Sequence, residues 1–73
     1  MDLVTKQSIH NQSLGLAAAY VRLYEQNNDQ AQEILEAACD LRRTLPLEND
    51  GKRFGSKEFH LVTQSARIVR ASV

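Results

Sequence analysis

The stretch from Leu14 to Tyr24 constrains the fold of this chain more than any other part of the sequence. Only one of its eleven residues, Arg22, is charged, and its apolar side chains recur every three or four positions. This spacing is typical of an α-helix, and we predict a helix over about 8–26, or already from Thr5. The apolar side chains form two stripes, and a helix that is apolar on nearly every side is normally buried on nearly every side.

Two partner helices of a 73-residue chain cannot easily cover such a helix, so we expect a second copy or another protein to cover part of it. A small domain with a marginal core is commonly stabilised by a disulfide, a metal or self-association. Cys39 is the single cysteine, which excludes an internal disulfide and a cysteine-based zinc site, and the two histidines are fifty positions apart. Self-association is left by elimination. The predicted protein interface comprises Leu14, Ala17, Ala18, Tyr20, Val21 and Tyr24.

A second helix is predicted over about 29–45. Asp29 can serve as its N-cap, with Gln32 three positions later at the capping-box spacing. Pro46 ends it, because the residue before a proline is pushed out of helical geometry. The positions expected to face the core are Ala31, Ile34, Leu35, Ala38, Leu41 and Leu45.

Residues 46–55 are predicted to form a loop with Asn49-Asp50-Gly51 at its tip. Ser56 can cap a third helix over about 56–70. Its expected seam is Phe59, Val62, Ala66, Val69 and Val73. Several β-branched residues leave a short hairpin over 58–73 as the alternative. We therefore predict one all-α domain spanning 1–73, a small three-helix fold that self-associates into a helical homodimer.

Charge is divided unevenly along a chain that is neutral in total, with nine positive and nine negative side chains. Residues 1–40 carry two positive and six negative charges, a net of −4, and residues 41–73 carry seven and three, a net of +4. One interpretation is a split surface whose basic face meets an anion. The interpretation that we favour is pairing of the acidic second helix with the basic third helix or with another subunit.

The basic loop 52–57 leads into the predicted start of the third helix, an arrangement that suits a phosphate group. It fits neither a Walker A loop nor the helix-turn-helix spacing, so we favour an exposed solubilising loop. Arg42 and Arg43 are expected to complement the dipole at the end of the second helix. The residues predicted to contact an anion or nucleic acid are Lys52, Arg53, Lys57, Arg67 and Arg70.

No combination of residues predicts catalysis, a metal site or a cofactor. Cys39 is expected to be a small buried thiol. His10 has polar neighbours in a region that can fray, and His60 is expected on a partly exposed helix flank. A solvated acidic face is expected from Glu33, Glu36 and Asp40. We predict that the chain is not an enzyme.

The first residues lack the apolar run of a signal peptide, and no stretch approaches the length of a membrane span, so we expect a cytoplasmic protein without a membrane segment. These observations predict a small helical regulator or adaptor that acts by protein–protein interaction, as a homodimer that binds and modulates another, unidentified protein. The alternative is a nucleic-acid-binding transcriptional regulator that uses loop 52–57 and the third helix.

Overall fold

The computed structural model describes residues 1–71, with side chains described as far as Ile68. Three helices make up the fold: α1 (Leu3–Glu25), α2 (Ala31–Arg43) and α3 (Ser56–Ala71). Within the described residues there is no strand, and a single β-bridge joins Leu47 to Arg53. The predicted all-α, three-helix architecture is confirmed, and the chain is helical rather than a hairpin from Ser56 to Ala71. Val73 lies outside the described residues, as does the side chain of Val69.

The first helix begins earlier than predicted, because Asp2 caps it. The carboxylate of Asp2 accepts a 2.8 Å hydrogen bond from the backbone N–H of Thr5 and so satisfies one of the donors left open at a helix start. This hydrogen bond lowers the pKa of the Asp2 carboxyl below its ordinary value of 3.8. The result is a 23-residue helix with a well-defined first turn.

The first helix ends in a Schellman motif centred on Asn27. Asn27 has a positive φ of 55°, and its N–H donates to the carbonyl of Tyr24 at 3.1 Å. The N–H of Asn28 donates to the carbonyl of Leu23 at 2.9 Å. These two hydrogen bonds satisfy carbonyls that the end of a helix leaves open, which explains why the predicted break falls at this pair of asparagines.

The capping box predicted for the second helix is not formed, and the assignment of Asp29 as its N-cap is wrong. The Asn28 side chain instead accepts a 2.9 Å hydrogen bond from the N–H of Gln30, the residue that precedes α2. The side-chain amide of Gln32 turns forward along the helix and donates to Glu36 at 3.5 Å. The turn that closes α1 therefore also sets the start of α2.

The second helix ends at Arg43, two residues before the predicted boundary. Thr44 donates through its hydroxyl to the carbonyl of Leu41 at 2.6 Å, and the N–H of Leu45 donates to Arg42 at 3.0 Å. Pro46 then directs the chain away from the helix axis. Leu45 turns into the core and is almost completely buried.

The core consists mostly of small side chains, because α1 packs closely against both α2 and α3. The buried apolar residues are Ala17, Tyr20, Ala31, Ala38, Leu45 and Ala66. Half-buried apolar side chains surround them, among them Leu23, Ile34, Leu35, Phe59 and Val62. The rings of Tyr20 and Tyr24 lie 5.4 Å apart at the edge of this core. Four alanines let the helix backbones approach, so the core depends on close packing more than on large apolar groups.

Residues 44–55 form a compact loop rather than an open connection. The N–H of Glu48 donates to Lys52 at 2.7 Å, and Gly51 donates back to Glu48 at 2.9 Å. Gly51 has a φ of 79°, which glycine adopts without steric cost. The tip at residues 49–51 is as predicted.

Candidate interaction surfaces

Arg42 occupies the centre of a buried polar cluster between the helices. Its side chain is only 5% exposed, although the sequence places it in the last turn of a helix. Nη2 donates to the carbonyl of Phe54 at 2.8 Å, and Nη1 lies 3.5 Å from Ser13 Oγ. The guanidinium carbon lies 4.6 Å from the ring centroid of Phe59, within the range of a cation–π interaction. One side chain of α2 thus connects α1, the loop and α3.

His10 is the second member of this cluster and is 6% exposed. Its Nδ1 lies 3.4 Å from Arg42 Nη1, and its Nε2 lies 3.4 Å from a carboxylate oxygen of Glu58. A guanidinium offers only donors, so Nδ1 is the acceptor nitrogen and Nε2 carries the hydrogen toward Glu58. The ring also meets Phe54 edge to face at 5.4 Å and lies directly over Gly55.

Sequence reasoning missed this cluster. His10 was expected in a region that can fray, and this expectation is wrong; Arg42 lies in the last turn of α2 as predicted, but its burial was not predicted. One signal was present in the sequence: Ala31, Leu35, Ala38 and Arg42 follow a 4-3-4 spacing that continues the buried stripe of α2. His10 had no comparable signal, because its partners are 32 and 48 residues away.

The positively charged guanidinium of Arg42 is partly desolvated by the surrounding protein. Burial lowers the pKa of the Arg42 guanidinium, and the nearby positive charge of Arg53 lowers it further. Arginine nevertheless stays protonated at neutral pH, so the cluster keeps a fixed positive charge. Within the described residues, no buried side-chain nitrogen or oxygen lacks a hydrogen-bond partner. The cluster therefore joins α1, α2, the loop and α3 through satisfied polar contacts.

Three of the predicted anion-contact residues, Lys52, Arg53 and Lys57, line one cavity beside the loop, and the binding of an anion there stays a prediction. The guanidinium of Arg53 donates to the carbonyl of Leu45, so this side chain is used within the loop. Lys52, Lys57 and Arg67 are exposed, and the side chain of Arg70 lies outside the described residues. The cavity beside the loop has a volume of about 580 Å³ and is lined by three carboxylates as well as by the cations: Glu48, Asp50 and Glu58.

The predicted protein interface divides into two groups. Ala17 and Tyr20 are buried within the single chain, so the expectation that they need an outside partner is wrong for these two residues. Because the core alanines let the helices approach closely, α2 and α3 cover both Ala17 and Tyr20. The other four residues are half-buried: Leu14, Ala18, Val21 and Tyr24. Their place in an interface stays a prediction.

One uncharged line of side chains runs along α1, exposed in its first half and half-buried in its second, where Val21 also packs against the core, and we call it the α1 seam. Its members recur every three or four residues and are exposed or half-buried: Leu3, Gln7, Asn11, Leu14, Ala18 and Val21. The seam is about 27 Å long at 1.5 Å per residue. Three of the six predicted interface residues belong to it.

A second line lies on α3, and we call it the α3 outer face. Lys57, Leu61, Gln64 and Ile68 follow a 4-3-4 spacing, and all four are exposed. His60 and Arg67 flank the line on one side and are also exposed. Leu61 and Ile68 are 53% and 62% exposed, on the side of the helix opposite the buried Ala66.

The outer side of α2 is acidic, as the sequence predicts: Glu33, Glu36 and Asp40 are exposed. The ion pairs of the described residues are Lys6–Glu48 at 3.3 Å and Asp40–Arg43 at 3.0 Å, and His10 Nε2 lies 3.4 Å from Glu58. None of them joins an acid of α2 to a base of α3, so the pairing of these two helices within one chain is not formed in the described part. Cys39 is half-buried at the border of this face, and thus less buried than predicted.

Three further findings concern metal binding, membrane spanning and similarity to known proteins. Among the described residues, no group of three or more histidine, cysteine, aspartate or glutamate side chains is arranged to hold a metal ion. None of the helices in the described part has the length and apolarity to span a membrane. No family model, curated protein or solved structure matches this chain.

Proposed function

We propose that this chain is a non-catalytic regulator or adaptor that acts by binding proteins and works as a homodimer through the α1 seam. The observation that carries the proposal is the absence of charge along an exposed helix face. Between Lys6 and Arg22 the sequence has no aspartate, glutamate, lysine or arginine, although 18 of 73 residues in the whole chain are of these types. Depletion of charged side chains is the compositional signal of an interface centre.

In an antiparallel dimer, the α1 seam of one copy can pack against the α1 seam of the other. Pairing about a two-fold axis between residues 12 and 13 puts Gln7 opposite Ala18 of the second copy and Asn11 opposite its Leu14. A two-fold axis repeats each contact, so one self-complementary stripe provides the whole interface. At the ends of the seam, Arg22 of one copy comes opposite Leu3 of the other, next to Asp2, and Arg22 and Asp2 have opposite charge.

The proposed absence of catalysis is supported by the way the buried polar groups are used. His10, the one buried histidine in the described part of the chain, is enclosed by Arg42, Phe54 and Glu58. A general base must reach a substrate proton, and this ring is directed into the fold. Its role is to position the loop over α1.

The dimer is tested by measuring the solution mass by light scattering over a range of concentrations at low and high salt. We expect a mass of two 8.2-kDa chains that changes little with salt, because the seam is uncharged. The decisive variant is Asn11→Lys, which places two like charges near the two-fold axis. We expect the dissociation constant to rise by at least about tenfold.

The matched control is Gln12→Lys. This residue is exposed on the same helix, but it points about 100° away from Asn11 and off the seam. It adds the same charge without entering the contact, so its mass should equal that of the wild type. A monomer at every concentration, or equal masses for both variants, contradicts the proposed dimer.

The nucleic-acid alternative has weaker support in this geometry. Lys52 and Lys57 share their cavity with three carboxylates, and Arg53 is used within the loop. Phosphate binding would decrease steeply with salt, in proportion to the number of phosphates contacted. Tight binding of a DNA duplex that is lost in a Lys52→Ala/Lys57→Ala variant would favour this alternative over protein binding.

A further inference from the structure

We propose that the α3 outer face binds an acidic amphipathic helix of another protein. The inference rests on the proposal that this chain works by binding proteins, and it adds a surface separate from the α1 seam. The first observation is the position of Leu61 and Ile68. They lie seven residues apart, about 10 Å along the helix, and both are more than half exposed. Two large apolar side chains at heptad spacing form the contact line that a second helix packs against.

The second observation is the charge beside this line. Lys57, His60 and Arg67 are exposed around the apolar pair, and neither Lys57 nor Arg67 takes part in an ion pair of the described residues. The one carboxylate of α3, on Glu58, lies 3.4 Å from His10 Nε2. Glu58 is 63% exposed and lies on the opposite flank of the line, so the charge on the flank containing His60 and Arg67 is positive. In paired helices the residues flanking the apolar line select the partner by opposite charge.

A second copy of this chain does not fit the same face. An antiparallel pair of α3 helices would bring the flank containing His60 and Arg67 against itself, which places like charges together. The acidic face of α2 would match the charge, but its only exposed apolar side chain is that of Ala37. It would leave Leu61 and Ile68 largely uncovered. The complementary occupant is a helix with large apolar residues seven apart, flanked by aspartate or glutamate.

A synthetic peptide of this chemistry tests the proposal with the full chain. The probe is a labelled three-heptad helix with leucine at the two apolar heptad positions and glutamate at the flanking positions, where mutual repulsion keeps it from pairing with itself. A second peptide has lysine in place of every glutamate. Binding is measured by fluorescence anisotropy at low and high salt. We expect the glutamate peptide to bind, with weaker binding at high salt, and the lysine peptide to bind at least about tenfold more weakly.

Two double variants locate the contact. Leu61→Ser/Ile68→Ser should weaken binding of the glutamate peptide at least about tenfold, because the buried apolar area is lost. Its matched control is Val4→Ser/Leu47→Ser, which removes two exposed apolar side chains outside both α3 and the α1 seam. Lys57→Glu/Arg67→Glu should also weaken binding and remove its salt dependence. The control for charge is Arg43→Glu/Lys52→Glu, which changes two exposed cations outside both this face and the α1 seam.

Four results with the peptides and the variants would overturn the inference. These are failure of the glutamate peptide to bind, equal binding of both peptides, binding unchanged by Leu61→Ser/Ile68→Ser, and a lower mass of this variant, which would make the face a contact between copies. A DNA duplex that binds through Lys57 and Arg67 in place of the peptide would also overturn it. A monomeric wild type that binds the glutamate peptide would contradict the proposed dimer but leave the α3 contact in place, so the two failures are distinguishable.

Discussion

Arg42 donates a 2.8 Å hydrogen bond to the carbonyl oxygen of Phe54, and this contact joins the last turn of α2 to the residue before Gly55. α3 begins one residue after Gly55. The direction in which the third helix leaves the loop therefore depends on a guanidinium from the second helix. Because the same guanidinium faces His10 on α1, all three helices and the loop share one polar centre.

Replacing Arg42 with methionine should destabilise the fold by about 2–4 kcal/mol, because the Phe54 carbonyl loses its charged donor while the apolar stem is kept. Chemical denaturation of Arg42→Met, followed by far-UV circular dichroism, measures this loss. Arg43→Met is the matched control, since that side chain is exposed and makes only a surface ion pair with Asp40. Its cost should be below about 1 kcal/mol. Equal stabilities of the two variants would contradict the role given to Arg42.

The close contact between Gly55 and His10 predicts a strong effect of adding one methyl group. Gly55 has a φ of 66°, and a Cβ there would collide with the imidazole ring of His10. Gly51 has a similar φ of 79°, but a Cβ there would meet open space. Gly51→Ala should therefore cost only the backbone strain, about 1 kcal/mol. Gly55→Ala should cost at least about 1 kcal/mol more, since the clash adds to the same strain.

Thermal or chemical unfolding of the two alanine variants provides the comparison. The double variant Gly55→Ala/His10→Ala removes the ring that causes the clash. If the clash is the cause, Gly55→Ala should lower the free energy of unfolding much less when His10 is already alanine. The loss should then approach that caused by Gly51→Ala. An effect of the same size with and without the His10 ring would show that backbone strain alone is responsible.

The cap of α1 predicts a dependence of its first turn on acid. The pKa of the Asp2 carboxyl is lowered in the folded chain by the hydrogen bond from Thr5. A lowered folded pKa means that the contribution to stability is present above the ordinary value of 3.8 and is lost as the pH falls through the folded pKa. The amide resonance of Thr5 should report this loss, with fraying of the first turn in acid.

Asp2→Ser is the control for that titration. A serine hydroxyl can accept the same hydrogen bond but carries no charge to titrate. In this variant the first turn should form at neutral pH. Its amide signals should no longer change as the pH falls below 3.8, the ordinary pKa of an aspartate carboxyl. Retention of the transition in Asp2→Ser would assign it to another carboxyl group.

The sequence by itself determined the elements that depend on local chemistry. The apolar spacing of α1, Pro46 after α2 and Ser56 at the start of α3 act within a few residues, so the three helices could be predicted. The helix starts were less accurate, because Asp2 caps α1 and the turn at Asn28 sets the start of α2 in place of the predicted capping residues. Backbone hydrogen bonds of the actual turn select among these residues.

Only the tertiary structure decided which side chains are covered. Tyr20 and Ala17 lie on α1, whose apolar surface was expected to be too large for two partner helices to cover. The close approach of α2 and α3 nevertheless buries both residues within one chain. His10 and Arg42 are polar residues whose burial depends on partners dozens of positions away. The free-energy cost of desolvating a polar group is offset only when its hydrogen-bond partners come together in the folded chain. The spacing of residues along the sequence does not indicate which distant residues will meet. The same long-range packing leaves Leu61 and Ile68 exposed.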